Sequence, residues 1–327
     1  MKIHVIGSGA MGSIYGGLLC RTGCDVTLVD VRPDHLAAIG RDGLRIGGVR
    51  GEHLVRIRAV ERDAQLPPAD LAIIFTDTNN VGDAARNARR LLKPDGFALT
   101  LQNGIGNVEA LLAELGEARV AGGVTMNSGA NPEPGRVLYT NAGVTSLGEL
   151  DGRRSDRIDA VVATLNRAEI ETRVVPDPMA EIWSKFVHNC ATNALAAVSG
   201  LRGGEIWRTP EMSALQDRVL DEIMAVVNAR GVRLPDGDPR RKIKAHCRVR
   251  YNKPSMMQHV EQGRQTEIDA LNGAVVREAR ALGIPVPYNE AVVAFVKGVE
   301  KSRRQLLHEP PRDYRKLEEE AAREAGA

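Results

Sequence analysis

The strongest constraint on the fold stands at the start of the chain. A short apolar run, Lys2 to Ile6, ends in Gly7-Ser8-Gly9-Ala10-Met11-Gly12. In a chain of 327 residues with 33 glycines, a Gly-x-Gly-x-x-Gly spacing arises easily by chance. Here it follows a strand, opens a helix that runs through Leu19 towards Gly23, and precedes a second strand, Asp25 to Val29, closed by Asp30. That context reads as a dinucleotide-binding βαβ unit. Gly7 permits the tight turn, Gly9 lets the backbone approach a pyrophosphate, and Gly12 lets helix and strand pack closely. The N–H groups of the loop and helix start, from Ser8 through Ala10 and Met11, suit phosphate oxygens. The competing reading is a tight strand–helix turn with no ligand.

The pattern continues downstream. Leu71 to Thr76 and Phe97 to Gln102 are continuous apolar runs, as expected of strands covered on both faces, and Val81 to Leu92 between them reads as a helix. Strand and helix alternating in this way predict a parallel, doubly wound sheet. From Gly122 to Gly148 the chain is β-rich and glycine-spaced; Arg136 to Thr140 and Val144 to Leu147 read as antiparallel edge strands. Val174-Val-Pro-Asp-Pro178 marks a break, with Asp177 as a helix N-cap, Pro178 in the first turn and Gly200 at the far end. Helical patterns then cover 210–230, 239–250, 255–282 and 289–307, and the charged, alanine-rich stretch 313–327 reads as a solvated helix or frayed tail. The fold class is therefore α/β: a Rossmann-type domain over 1–176, then an all-helical domain over 177–327.

Composition narrows the partners. Lysine and arginine total 44 against 42 acids, a net charge of +2, which offers no electrostatic footprint for nucleic acid or a membrane surface. Cys20, Cys24, Cys190 and Cys247 lack metal or redox spacing and read as reduced, packed thiols. No apolar stretch is long enough to span a bilayer, and the first residues lead straight into a strand without a signal peptide, so the expected location is cytoplasmic.

In the second half, an otherwise apolar helix, 179–199, carries Lys185, Asn189 and Asn193. Spaced by four, they form one column about 12 Å long. A lysine there must be paired, hydrated or neutralised, because its ammonium is costly to bury. Either it snorkels to the surface or the column belongs to a site. Glu267, read on the helical side shared with Val260 and Leu271, is a candidate partner, although a single glutamate on a helix face is ordinarily just solvated. Ser255, after Pro254, could be only an N-cap. The seven histidines show no ligand spacing, and no metal is expected.

Taken together these residues resemble the ketopantoate reductase (2-dehydropantoate 2-reductase) family over nearly the whole chain. The resemblance rests on the glycine motif, Gln102-Asn103-Gly104, Lys185-x-x-x-Asn189-x-x-x-Asn193, Lys253-Pro-Ser255-Met, Thr266-Glu267-Ile-Asp269 and Asn272-Gly273. It implies a nucleotide-binding domain and a helical domain with the active site in the cleft between them. It also implies NADPH or NADH as cofactor, a small 2-keto acid as substrate, a role in pantothenate biosynthesis, and a homodimer. Lys185 would be the catalytic acid at the keto oxygen, with Glu267 binding substrate and orienting the lysine's surroundings. Asn103 would sit by the nicotinamide ribose and the substrate, and Asn189, Asn193 and Ser255 would hold the substrate's hydroxyl and carboxylate. The chemistry agrees: hydride addition leaves charge on oxygen, which a fixed cation stabilises most in the transition state.

Departures from the family pattern bear on cofactor and substrate. Where many NADPH-using members place a basic residue, this chain has Asp30-Val31-Arg32, and where a lysine is frequent it has Thr76-Asp77-Thr78. Asp30 would accept from the ribose hydroxyls and repel a 2′-phosphate, whereas Arg32 would attract one; with Asp77 added, the balance tips modestly to NAD. Gln258-His259 replaces a frequent Gln-Asp. One alternative function is a D-2-hydroxyacid dehydrogenase of the same fold, using NADH on another bulky or aromatic 2-keto acid. A second is a non-enzymatic nucleotide sensor, which would have no use for the Lys/Asn/Asn column.

Overall fold

A computed structural model describes residues 1–326. The strands are β1 (Lys2–Ile6), β2 (Asp25–Asp30), β3 (Leu44–Gly48), β4 (His53–Val55), β5 (Arg58–Glu61), β6 (Ala69–Ile74), β7 (Leu92–Thr100), β8 (Val120–Thr125), β9 (Ser128–Glu133), β10 (Arg136–Asn141), β11 (Thr145–Glu149) and β12 (Thr172–Val174). Among them run α1 (Ala10–Arg21), α2 (Pro33–Asp42), α3 (Val81–Leu91), α4 (Asn107–Leu115) and α5 (Asp156–Arg167). The rest is helical: α6 (Pro178–Ser199), α7 (Gly203–Arg208), α8 (Pro210–Ala229), α9 (Arg240–Val249), α10 (Ser255–Glu261), α11 (Asn272–Leu282), α12 (Pro287–His308) and α13 (Tyr314–Ala325).

The main sheet has the order β12-β11-β8-β7-β6-β1-β2-β5 and is parallel apart from the β8–β11 pair. Its strands bury both faces, as their unbroken apolar runs require. Ile3, Val5, Leu71 and Ile73 pack with Ile14 and Leu18 of α1 and Ile158 of α5. Ile6, Ala72 and Ile74 pack with Ala85 and Ala88 of α3 and Leu111 of α4. Alternate residues of one strand thus feed opposite layers. The strand order reverses between β1 and β6, the switch point where ligands bind in such sheets.

The β-rich stretch differs from expectation. β10 leaves the main sheet for a second sheet, β4-β3-β10-β9, pairing parallel with β3, while β11 lies inside the main sheet between β8 and β12. Local pattern identified strands here but not all their partners: β9 is adjacent to β10 in sequence, whereas β3 lies far away. The expected continuous helix 255–282 is also corrected. α10 stops at Glu261, and Gly263 takes φ +66°, a left-handed conformation that ends a helix cheaply. Glu267 therefore opens a short 3₁₀ turn rather than sharing a helix face with Val260 and Leu271.

The chain forms two compact units, Met1–His188 with Val227–Pro239, and Asn189–Val226 with Arg240–Ala327, of which Ala327 lies outside the described residues. The division between these units falls inside α6, a single helix capped by Asp177 (Oδ1 accepts from Ala180 N, 2.8 Å). The terminal stretch forms the exposed helix α13. Among the described residues, no helix is long and apolar enough to cross a membrane.

Candidate active site

In the first unit the glycine loop closes on itself. Gly7 has φ +92°, and a Cβ there would lie 2.6 Å from Thr76 N, so the turns after β1 and β6 meet backbone to backbone. A Cβ on Gly12 would sit 1.9 Å from Gly7 O. Gly9 is the opposite case: nothing lies within 4 Å of its Cβ position. The loop is therefore tight where it must pack and open where a ligand must approach. No side chain caps α1 and no acid lies in its first turn, which leaves the partial positive charge of the helix start unneutralised. These residues fit a pyrophosphate.

Asp30 is buried against this loop. One carboxylate oxygen accepts from Ser8 N (2.6 Å) and Ser8 Oγ (2.9 Å), the other from the N–H groups of Val31 (2.8 Å) and Arg32 (3.0 Å) and from Arg32 Nε (3.2 Å). Burial alone would raise its pKa; the Arg32 guanidinium and the Ser8 donors outweigh it and hold the group below the usual carboxylate range. Arg32, half-buried, also donates to Ser8 O (2.7 Å) and, through Nη1, to the Asn131 amide oxygen (3.1 Å). Aspartate and arginine, which the sequence set against each other as cofactor selectors, are thus paired. Asp77 is exposed. Sequence reasoning missed the supports of this loop. Ser13 Oγ donates to Ser8 O (2.8 Å), and His35 Nε2 lies 3.2 Å from Ser13 Oγ. Because Gly135 N donates to His35 Nδ1 (3.0 Å), the ring proton belongs on Nε2, facing the serine.

After β7, Asn103 O accepts from Thr78 Oγ1 (2.8 Å) and Asn107 Nδ2 (2.9 Å), while Gln102 Nε2 donates to Thr76 O (2.6 Å). The half-buried Asn103 is therefore fixed at the carboxyl edge of the sheet, beside the switch point. On the neighbouring strand β8, the last residue matters most: Lys185 Nζ donates to Thr125 O at 2.7 Å. The lysine does not simply snorkel; its ammonium is held on the same sheet edge as the glycine loop.

The first unit thus brings together Gly7 to Gly12, Asp30, Arg32, Asn103 and Lys185. In the second unit, Asn189 is half-buried and Asn193 buried, with Thr192 Oγ1 donating to Asn193 Oδ1 (3.2 Å). Ser255 is the first residue of α10; Pro254 takes the cap position, so the serine is not a cap. Its loop is stapled by Lys253 Nζ to Glu261 (2.6 Å) and Gln258 Nε2 to Lys253 O (2.9 Å). Glu267 O accepts from Ala270 N and Leu271 N, both at 3.0 Å, and Glu300 fixes the preceding Thr266 N (2.6 Å). Among the described residues no group of His, Cys, Asp and Glu is arranged to hold a metal.

A doubly wound sheet with an open phosphate loop at its switch point, an amide and an ammonium fixed beside it, defines a dinucleotide-dependent oxidoreductase. Comparison with known proteins agrees. The family models for ketopantoate reductase PanE/ApbA and for its C-terminal part match residues 3–152 and 177–300. The 2-dehydropantoate 2-reductase of Pyrococcus horikoshii is 33% identical over 302 residues, covering 92% of this chain and 98% of that protein. Among solved structures, a PanE/ApbA family ketopantoate reductase from Ralstonia eutropha JMP134 aligns with TM-score 0.85 and 30% identity, covering 93% of this chain and 100% of that one. D-mandelate dehydrogenase in a ternary structure with NADH and anilino(oxo)acetate aligns with TM-score 0.85 and 25% identity, over 93% and 99%. The chain belongs to the ketopantoate reductase family, and it is an oxidoreductase using a nicotinamide cofactor.

Proposed function

We propose that this protein reduces 2-dehydropantoate to pantoate, with NADH as the preferred cofactor. The observation that carries the reading is the Lys185 ammonium, held by the Thr125 carbonyl on the sheet edge that bears the glycine loop. The cofactor supplies hydride to the keto carbon. Lys185 stabilises the oxygen as charge develops and delivers the proton to it, a contribution typically worth about 10²–10⁴ in rate. Asn189 and Asn193 follow Lys185 on α6 at successive turns and, with Ser255, take the substrate's hydroxyl and carboxylate. Asn103 holds the nicotinamide ribose side, and Glu267 binds substrate. The ionised Asp30, at the loop itself, favours ribose hydroxyls over a 2′-phosphate, which would have to pull Arg32 away from it.

The TM-score of 0.85 to D-mandelate dehydrogenase favours a second reading, reduction of an aromatic 2-keto acid with the same machinery. Steady-state reduction of 2-dehydropantoate and a panel of aromatic 2-keto acids, each with NADH and NADPH, separates the two. Preference for an aromatic acid overturns the substrate assignment, and preference for NADPH that Arg32→Ala abolishes overturns the cofactor assignment. Lys185→Ala should retain NADH binding and lose about 10²-fold or more in kcat.

A further inference from the structure

Directly behind the acceptor of the Lys185 ammonium lies a closed cluster of buried polar side chains. Tyr15 (α1) donates through its hydroxyl to Thr125 Oγ1 (2.8 Å) and lies 2.5 Å from Thr145 Oγ1 (β11). Asn127 Nδ2 reaches Tyr15 OH (2.9 Å), Thr125 Oγ1 (2.8 Å) and Thr145 Oγ1 (3.2 Å), and Asn127 N donates to Thr125 Oγ1 (3.1 Å). Asn127 Oδ1 accepts from the Tyr139 hydroxyl and from Gly143 N (2.9 Å). All these side chains are buried, and none of their polar atoms is without a partner. A fully satisfied network in low dielectric is rigid, because losing any member strands the others. It joins the helix that begins with the glycine loop to the end of the strand that holds the lysine.

The cluster does not exchange protons near neutral pH. Burial pushes the Tyr15 phenol up against the opposing pull of Thr125, Thr145 and Asn127, and burial, followed by the neighbouring Tyr15, pushes Tyr139 up to about 12. Both phenols keep their protons, so the service they offer is geometric. A lysine on a four-carbon stem has several rotamers to lose, and a misplacement of about 1 Å at a reacting centre costs about 10²-fold.

We propose that Tyr15, Asn127 and Thr145 are positioning residues for Lys185: they fix the end of β8 so that the Thr125 carbonyl holds the ammonium at one point and its other N–H bonds aim at the keto oxygen. This rests on the catalytic reading of Lys185 given above. The test compares Tyr15→Phe, Thr145→Val, Thr145→Ser, Lys185→Ala and Tyr15→Phe/Lys185→Ala. Readouts are kcat, KM for the 2-keto acid, NADH Kd by fluorescence, and thermal midpoint. Tyr15→Phe and Thr145→Val should each lower kcat roughly ten- to hundredfold with NADH Kd unchanged. Thr145→Ser, which keeps the hydroxyl, should restore turnover. The double variant should be no slower than Lys185→Ala, since residues that act through the lysine have nothing left to position.

Unchanged kcat in both hydroxyl deletions overturns the proposal. So does a loss that adds in full to that of Lys185→Ala, or one matched by an equal loss of NADH affinity, which is the mark of general loosening. Wild-type turnover in Lys185→Ala instead sinks the functional reading itself, and that outcome is visible before any positioning variant is scored.

Discussion

Around Thr125, in the first unit, every buried hydroxyl and amide finds a partner; around the middle of α6, in the second, two amide oxygens do not. Asn272 Nδ2 donates to Cys190 O (3.1 Å) and Asn289 Oδ1 (2.9 Å), and Gln216 Nε2 donates to Ala191 O (3.1 Å), yet Asn272 Oδ1 and Gln216 Oε1 have no partner. Both side chains are fully buried. An orphaned buried carbonyl costs about 1–3 kcal/mol, so something must offset it. The donors grip successive α6 carbonyls between Asn189 and Asn193, the residues assigned to the substrate. One unit positions its ammonium with a closed network; the other positions its amides with one-sided clamps and tolerates the cost.

The sharpest way to break this contrast lies in the glycine loop, where packing and ligand approach are separable. Gly12→Ala forces a Cβ against Gly7 O and should cost about 3 kcal/mol or more of stability, together with NADH binding. Gly9→Ala meets nothing within 4 Å; its thermal midpoint should stay near wild type while NADH affinity falls about tenfold or more. Equal thermal losses for both would mean that Gly9 is merely structural.

His4 is one of the first unit's exceptions, with Asn87 and Asn107. Its Nδ1 is buried without a partner, and burial, followed by the charge of Lys2, lowers its pKa from 6.5 to about 4. The unfolded chain binds this proton first, so stability should fall as pH drops from about 6.5 towards 4, by on the order of 2–3 kcal/mol. Thermal melts across that window check the slope. His4→Phe should flatten it, and an unchanged slope would place the acid sensitivity elsewhere.

In the second unit, Asn272→Ala should cost about 1–3 kcal/mol and raise KM for the keto acid while leaving NADH Kd alone. A parallel loss of NADH affinity would remove the distinction between the two modes of support. The smallest effect belongs to Asp177→Ala, which deletes the α6 cap and should lower stability by about 1 kcal/mol with kcat unchanged.

Much of the nucleotide-binding half was legible because its determinants are local. A strand, three glycines and an acid at fixed spacing place Gly7, Gly9, Gly12 and Asp30 without knowledge of any distant residue. The supports of the same loop were not legible, since Ser13 and His35 act through the distant Gly135. Nor was the real surrounding of Asp30: Arg32 looked like its rival and is its partner, a matter of side-chain direction that spacing does not encode. The helix expected through Glu267 failed at Gly263, one residue among many with helical periodicity.

The column of Lys185, Asn189 and Asn193 shows where the boundary runs. Four-residue spacing on a helix places them on one face whatever surrounds them, and the cost of burying an ammonium makes that face exceptional. So the sequence by itself determined the doubly wound sheet, the phosphate loop, the stripe and the family. Tertiary structure alone decided that Thr125 O receives the lysine, that Tyr15, Asn127 and Thr145 stand behind it, and that Asn272 and Gln216 hold the turn beyond. The reason is physical: Thr125 O, Cys190 O and Ala191 O are main-chain carbonyls, which every residue carries, and only the fold selects which of them, or which distant hydroxyl, a given side chain meets.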